Sequence, residues 1–166
     1  DFDAGLGDRL IDQPLVEATL RSAMGNAFEG LGLSPSAERH ARRALELRSK
    51  HLGPEHPGTV SARVDLTHAL MGVGKFDEAL AMCRVVLDSE QTDAGYTRFR
   101  IQALENLGKI HNEQRNYAAA EEPLHRALAM AEAAENQKHD RASILNTLAR
   151  TTVQLGRREE AEQYYR

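Results

Sequence analysis

The sequence of 166 residues has no tryptophan, one cysteine and only 5% aromatic residues. The single cysteine, Cys83, excludes an internal disulfide and fits a reducing compartment. Alternating Val/Ile/Thr runs, the mark of half-buried strands, are missing. No apolar run approaches the roughly 20 residues of a membrane span, and no signal-peptide pattern is visible. Neither sign of charge dominates: 21 Lys and Arg stand against 25 Asp and Glu, for a net charge of −4. A nucleic-acid-binding module would show a basic excess. These absences predict no nucleic-acid partner, no membrane partner and a cytoplasmic location. Catalytic signatures are missing too, among them the phosphate-binding Gly-x-x-x-x-Gly-Lys-Ser/Thr loop, Gly-x-Ser-x-Gly and His-Glu-x-x-His. No catalytic, cofactor or metal site is therefore expected, and the chain itself is read as non-enzymatic. His51 and His56 have no further ligands near them in sequence, so His56 is assigned to a structural connection. Cys83 replaces an alanine-like core position and reads as a buried thiol.

What is present is a supply of Ala, Leu, Glu and Arg, all good helix formers. They point to an all-α domain. One local grammar recurs four times: a helical run, a break, a polar residue, then a second run opening on a small residue. The small residues Ala37, Ala79, Ala120 and Ala161 lie 42, 41 and 41 positions apart. A period of this size means stacked units, each unable to bury its apolar face alone. The repeats run over about 18–59, 60–100, 101–141 and 142–166, the last truncated, and residues 15–166 form one repeat domain. Within each repeat a small or medium residue (Gly25, Thr67, Gly108, Ala149) stands where paired helices approach most closely. The chain begins without Met and stops in a helical pattern, which suggests a piece of a longer protein.

Residues 1–14 read as an N-terminal cap or linker, with Phe2, Leu6 and Leu10 at helical spacing. Pro14 suits the first turn of a helix that runs to about Gly30 and buries Leu20, Met24, Ala27 and Phe28. Ser34 is expected to cap the next helix, with Pro35 just inside. Ala37, Ala41, Ala44, Leu45 and Leu47 line one side of that helix. Two prolines and two glycines between Gly53 and Thr59 break the chain. Further helices are expected at about Thr59–Val73, from Phe76 to Leu87, Tyr96–Gln114, Tyr117–Asn136 with a kink at Pro123, Arg141–Leu155, and from Arg158 onward.

At these residues the chain resembles tetratricopeptide repeat proteins. The shared pattern is a large residue followed by Gly in the first helix, then spaced alanines in the second. It is carried by Met24-Gly25 with Phe28, Ala37, Ala41 and Ala44, and by Leu107-Gly108 with Ala120, Leu124 and Ala127. The second repeat departs, with Thr67 for Gly and Val86 for the last Ala, and the fourth has Ala149 for Gly. The segment Leu52-Gly53-Pro54-Glu55-His56-Pro57-Gly58-Thr59 resembles the connection of the longer, kinesin-light-chain-like subtype. More loosely, Asp12–Ala18 and Ala44–Arg48 resemble the repeat region of bacterial serine/threonine kinases.

The resemblance implies a right-handed superhelical solenoid of antiparallel helix pairs whose first helices line a concave groove. Carried over, that groove holds Asn26 from the first repeat, Val64, His68 and Met71 from the second, Glu105, Lys109 and Asn112 from the third, and Asn146 and Arg150 from the fourth. Asn, Lys and Arg can hold a peptide main chain and a carboxylate, while Val64 and Met71 would supply an apolar pocket. Ser22 stands where the family's carboxylate clamp carries Lys, which weakens any reading as a chaperone-tail binder. The expected function is a non-catalytic protein- or peptide-binding scaffold within a larger signalling protein, with an acidic or free-carboxylate ligand. The alternative is a regulatory region of a bacterial kinase or a helical transcription regulator. Leu148, Leu155, Ala161 and Tyr165 at the truncated end offer a surface for self-association.

Overall fold

The computed structural model describes residues 5, 10–91, 93–134 and 138–165. The proposed helical spacing of Phe2 and Leu6 lies outside the described residues. Among those described are eight α-helices and no strand: α1 Pro14–Gly30, α2 Ser34–Leu52, α3 Pro57–Gly72, α4 Phe76–Leu87, α5 Ala94–Glu113, α6 Tyr117–Ala133, α7 Lys138–Gln154 and α8 Arg158–Tyr164. The chain is an all-α helical repeat protein. It forms two compact units, residues 1–82 and 83–166, whose boundary falls inside α4.

One device joins the two helices of every repeat. The amide of a C-terminal residue bonds back to the carbonyl three positions earlier, and the next amide reaches the carbonyl five positions earlier. The pairs are Gly32–Glu29 with Leu33–Phe28, Gly74–Met71 with Lys75–Leu70, Arg115–Asn112 with Asn116–His111, and Gly156–Val153 with Arg157–Thr152. This is the Schellman arrangement, which requires a left-handed residue just past the helix. Three of the four positions are glycine, Gly32, Gly74 and Gly156, at φ 72°, 75° and 83°. The fourth is Arg115 at φ 58°. The residue after each left-handed one opens the next helix at once. Leu33 is therefore the N-cap of α2, and Ser34 is already helical, which corrects the expectation that Ser34 caps it.

The longer connection inside the first unit is stapled by its own hydrogen bonds. α3 starts at Pro57, two residues before the expected Thr59, because Pro57 fits the first helical position. His56 caps it, its Nδ1 accepting the Gly58 amide at 3.0 Å. Thr59 Oγ1 donates to the Gly53 carbonyl at 2.7 Å, and the Arg48 and Arg63 guanidinium groups reach the Gly58 and Pro54 carbonyls.

The alanines that define the period are all buried: Ala37, Ala79, Ala120 and Ala161. Cys83 is buried as well. In the second unit the core gathers Ile101 and Leu104 from α5, Leu124 and Ala127 from α6, and Ile144 and Leu148 from α7. Gly108 admits α6 closely, since a Cβ there would stand 2.4 Å from Leu124 Cγ. Pro123 is buried within α6, which continues through it from Tyr117 to Ala133.

The first helix departs from its expected face. Leu20 and Ala27 are exposed, Met24 and Phe28 are half-buried, and the buried residues are Glu17, Ala18, Arg21, Ser22 and Gly25. The charges are accommodated by pairing. Glu17 accepts from Arg21 and from Arg43 of α2, each at 3.3 Å, while Arg21 lies 3.3 Å from His40 Nδ1. His40 is fully buried, and its ring stacks on Phe28 at 5.2 Å between centroids. A buried carboxylate with two guanidinium partners is a satisfied group rather than a defect. On α2, Leu45 is half-buried, and the inward face is Ala37, His40, Ala41, Ala44 and Leu47.

Candidate peptide-binding site

The residues expected to line a groove fall into both units. In the first unit, Asn26 is exposed, His68 and Met71 are half-buried, and Val64 is buried in the core. Val64 is thus a packing residue, and the expected Val64–Met71 apolar pocket loses one of its two walls. The same stretch of α1 and α3 carries Asp65, whose carboxyl is pushed above its usual range chiefly by burial and also by Glu29, against the opposing pull of His68 and Arg48.

In the second unit, α5 and α7 are cross-linked by two of the predicted residues. Glu105 is buried; it accepts a hydrogen bond from Ser143 Oγ of α7 and pairs with Lys109 Nζ at 2.7 Å. Asn112 Nδ2 donates to Thr151 Oγ1 at 2.8 Å, and that hydroxyl donates to the Thr147 carbonyl at 2.8 Å. Both interactions fix the register of α5 against α7. Lys109 was expected to offer its charge to a ligand, but the ammonium is engaged by Glu105. Asn146 and Arg150 remain exposed on α7.

Beyond the Asn112–Thr151 link, the ends of α5 and α7 open into a cleft of about 400 Å³. Its lining joins Asn112, Arg150 and Val153 with Glu113, Arg115, Tyr117, Gln154 and Tyr165. Arg115 and Arg150 are exposed, and neither has an ion-pair partner among the described residues. Two guanidinium groups face one carboxylate, Glu113, beside two side-chain amides and two phenols. Sequence reasoning placed Asn112 and Arg150 here and missed Arg115, Tyr117 and Gln154. A signal for Arg115 was available: on the repeat period it aligns with Gly32, Gly74 and Gly156, where an arginine is the odd residue.

The surface offered for self-association is smaller than expected. Leu148 and Ala161 are already buried inside the second unit, Leu155 is half-buried, and Tyr165 alone of the four is exposed. No described helix is long and apolar enough to cross a membrane.

Family models described as tetratricopeptide repeat match residues 99–166 and 18–58. No curated protein matches the sequence. Among solved structures, the apo form of RapI aligns with a TM-score of 0.74 at 16% identity, over 95% of this chain and 57% of that one. A Podosopora anserina putative kinesin light chain with nearly identical TPR-like repeats aligns at 0.71 and 20% identity, over 89% of this chain and 72% of that one. BtubC (BKLC) from P. vanneervenii aligns at 0.72 and 17% identity, over 92% of this chain and 61% of that one. The chain therefore spans less than two thirds of RapI and BtubC, and at these identities the likeness is one of fold. With both family matches falling on the periodic helix pairs, the chain belongs to the tetratricopeptide repeat family of helical repeat scaffolds.

Proposed function

We propose that this chain is a non-catalytic scaffold that binds a peptide segment of a partner protein along the α5–α7 face. The observation that carries the reading is the division of labour on that face. Glu105, Ser143, Asn112 and Thr151 are spent on holding the two helices together, while Asn146 and Arg150 stay exposed beside a polar cleft. A rigid backbone with uncommitted amide and guanidinium groups suits main-chain and carboxylate recognition, because little side-chain order remains to be imposed on binding.

Selection of a random peptide library against the immobilised chain tests this. Enriched peptides should compete for one site and weaken on Asn146→Ala and Arg150→Ala, both surface changes that leave helicity unchanged by circular dichroism. Enrichment indifferent to both substitutions would move the binding face elsewhere and overturn the reading.

A further inference from the structure

Arg115 occupies a position that the fold reserves for glycine. The left-handed region is disfavoured for any residue with a Cβ, by about 1–2 kcal/mol, and the other three turns of the same construction use glycine. The backbone hydrogen bonds at Arg115 match those at the glycine turns, so the arginine side chain adds nothing to the turn itself. Backbone strain held in this way points to a use for the side chain. That side chain lines the cleft that Arg150 reaches from α7, and the pair leaves the lining with a net positive charge even with Glu113 counted.

We infer that Arg115 and Arg150 form a carboxylate-binding site at the shared end of α5 and α7, taking an acidic peptide, with Gln154 available to its main chain. This deepens the scaffold reading and rests on it. Guanidinium groups favour carboxylates through paired, charge-assisted hydrogen bonds. Arg115 is carried on a turn clamped by two backbone hydrogen bonds, and Arg150 extends from a helix fixed by the Asn112–Thr151 link. Both groups are thus mounted on ordered backbone before a ligand arrives.

The test uses fluorescence anisotropy of the full chain with labelled hexaglutamate, free or amidated at its C-terminus, and with hexaglutamine as the neutral counterpart. Hexaglutamate is expected to bind and hexaglutamine to bind far more weakly. Arg115→Gly and Arg150→Gln should each weaken hexaglutamate binding about tenfold or more, the loss of one hydrogen-bonded charge contact. Arg126→Gln, on α6 and outside the cleft, should change nothing. Arg115→Gly relieves the strained backbone, so its loss of binding would come with a fold at least as stable as the parent. Equal binding of the amidated and free peptides assigns side-chain carboxylates, and binding of the free acid alone assigns the terminal carboxylate; either supports the site. Hexaglutamate binding unaffected by Arg115→Gly overturns the site. If library-selected peptides bind the α5–α7 face but hexaglutamate does not, the scaffold reading stands and the carboxylate site falls. If no peptide of any charge binds, both fall.

Discussion

Gly25 and Gly108 hold the same place in their repeats, yet alanine should act on them with opposite sign. In a helix interior, glycine is less favourable than alanine by about 1 kcal/mol. At Gly25 the new Cβ would lie 3.5 Å from the Ala37 carbonyl and the Ala41 nitrogen, and 3.7 Å from His40 Cβ. These are ordinary contacts, so Gly25→Ala should stabilise the first unit by about 0.5–1 kcal/mol. At Gly108 the new Cβ would lie 2.4, 2.6 and 2.9 Å from Leu124 Cγ, Cδ2 and Cδ1. Leu124 is fully buried among Ile101, Leu104, Ile144 and Leu148, and its branch carbon would have to retreat by about 1 Å to reach van der Waals distance. Overpacking of this kind costs about 3 kcal/mol at its upper range. Set against the helix gain, Gly108→Ala should destabilise the second unit by about 2 kcal/mol. Repeat arrays need not unfold in one step. Urea unfolding is therefore best followed by backbone amide NMR, reading α1–α2 and α5–α6 separately. In a Leu124→Ala background the clash is gone, and Gly108→Ala should become neutral or stabilising, a coupling of about 2–3 kcal/mol. Equal signs at the two glycines, or no coupling to Leu124, would refute the packing argument.

Two carboxylates should give opposite pH dependences. Asp65 is raised, so its native form holds the proton more tightly than the unfolded chain, and stability falls as pH climbs from the usual carboxylate range through the native value. Asp65→Asn should therefore stabilise at neutral pH, an advantage that shrinks in acid, as thermal melts across pH would record. Glu38 is lowered, first by its hydrogen bond from Lys75 and then by that from Arg42. Its contribution is present above the usual glutamate range and lost as pH falls through the native value, so Glu38→Gln should cost stability at neutral pH and little in acid. Both partners are about half exposed, so that cost should be small and shrink with added salt. His56→Ala removes the side-chain cap of α3 and should cost about 0.5–1 kcal/mol, with faster amide exchange confined to residues 58–60.

The period was legible because it is written in residues with one steric role. Small residues at Ala37, Ala79, Ala120 and Ala161 are buried without exception, and Pro14 and Pro57 mark helix starts through their fixed φ. The inward face of α1 was not legible. Its apolar residues suggested Leu20 and Ala27, but Glu17 and Arg21 are buried because Arg43 and His40 on another helix satisfy them, a tertiary pairing no periodicity carries. The binding face was legible as a list of polar positions and illegible as a set of roles. Spacing places Glu105, Lys109 and Asn112 on one side of α5. Only the packing of α7 reveals that Ser143 and Thr151 engage Glu105 and Asn112, while Lys109 is occupied within its own helix. Arg115 was hidden by alignment on the alanines rather than on the turn glycines, where its left-handed backbone makes it the exception.

The most direct test is a backbone amide NMR titration of the full chain with hexaglutamate. The account predicts saturable shifts concentrated at residues 112–117 and 150–154, diminished in the Arg115→Gly variant while its remaining spectrum stays folded. Shifts centred on α1–α3, or none at a peptide excess that saturates anisotropy, would contradict it.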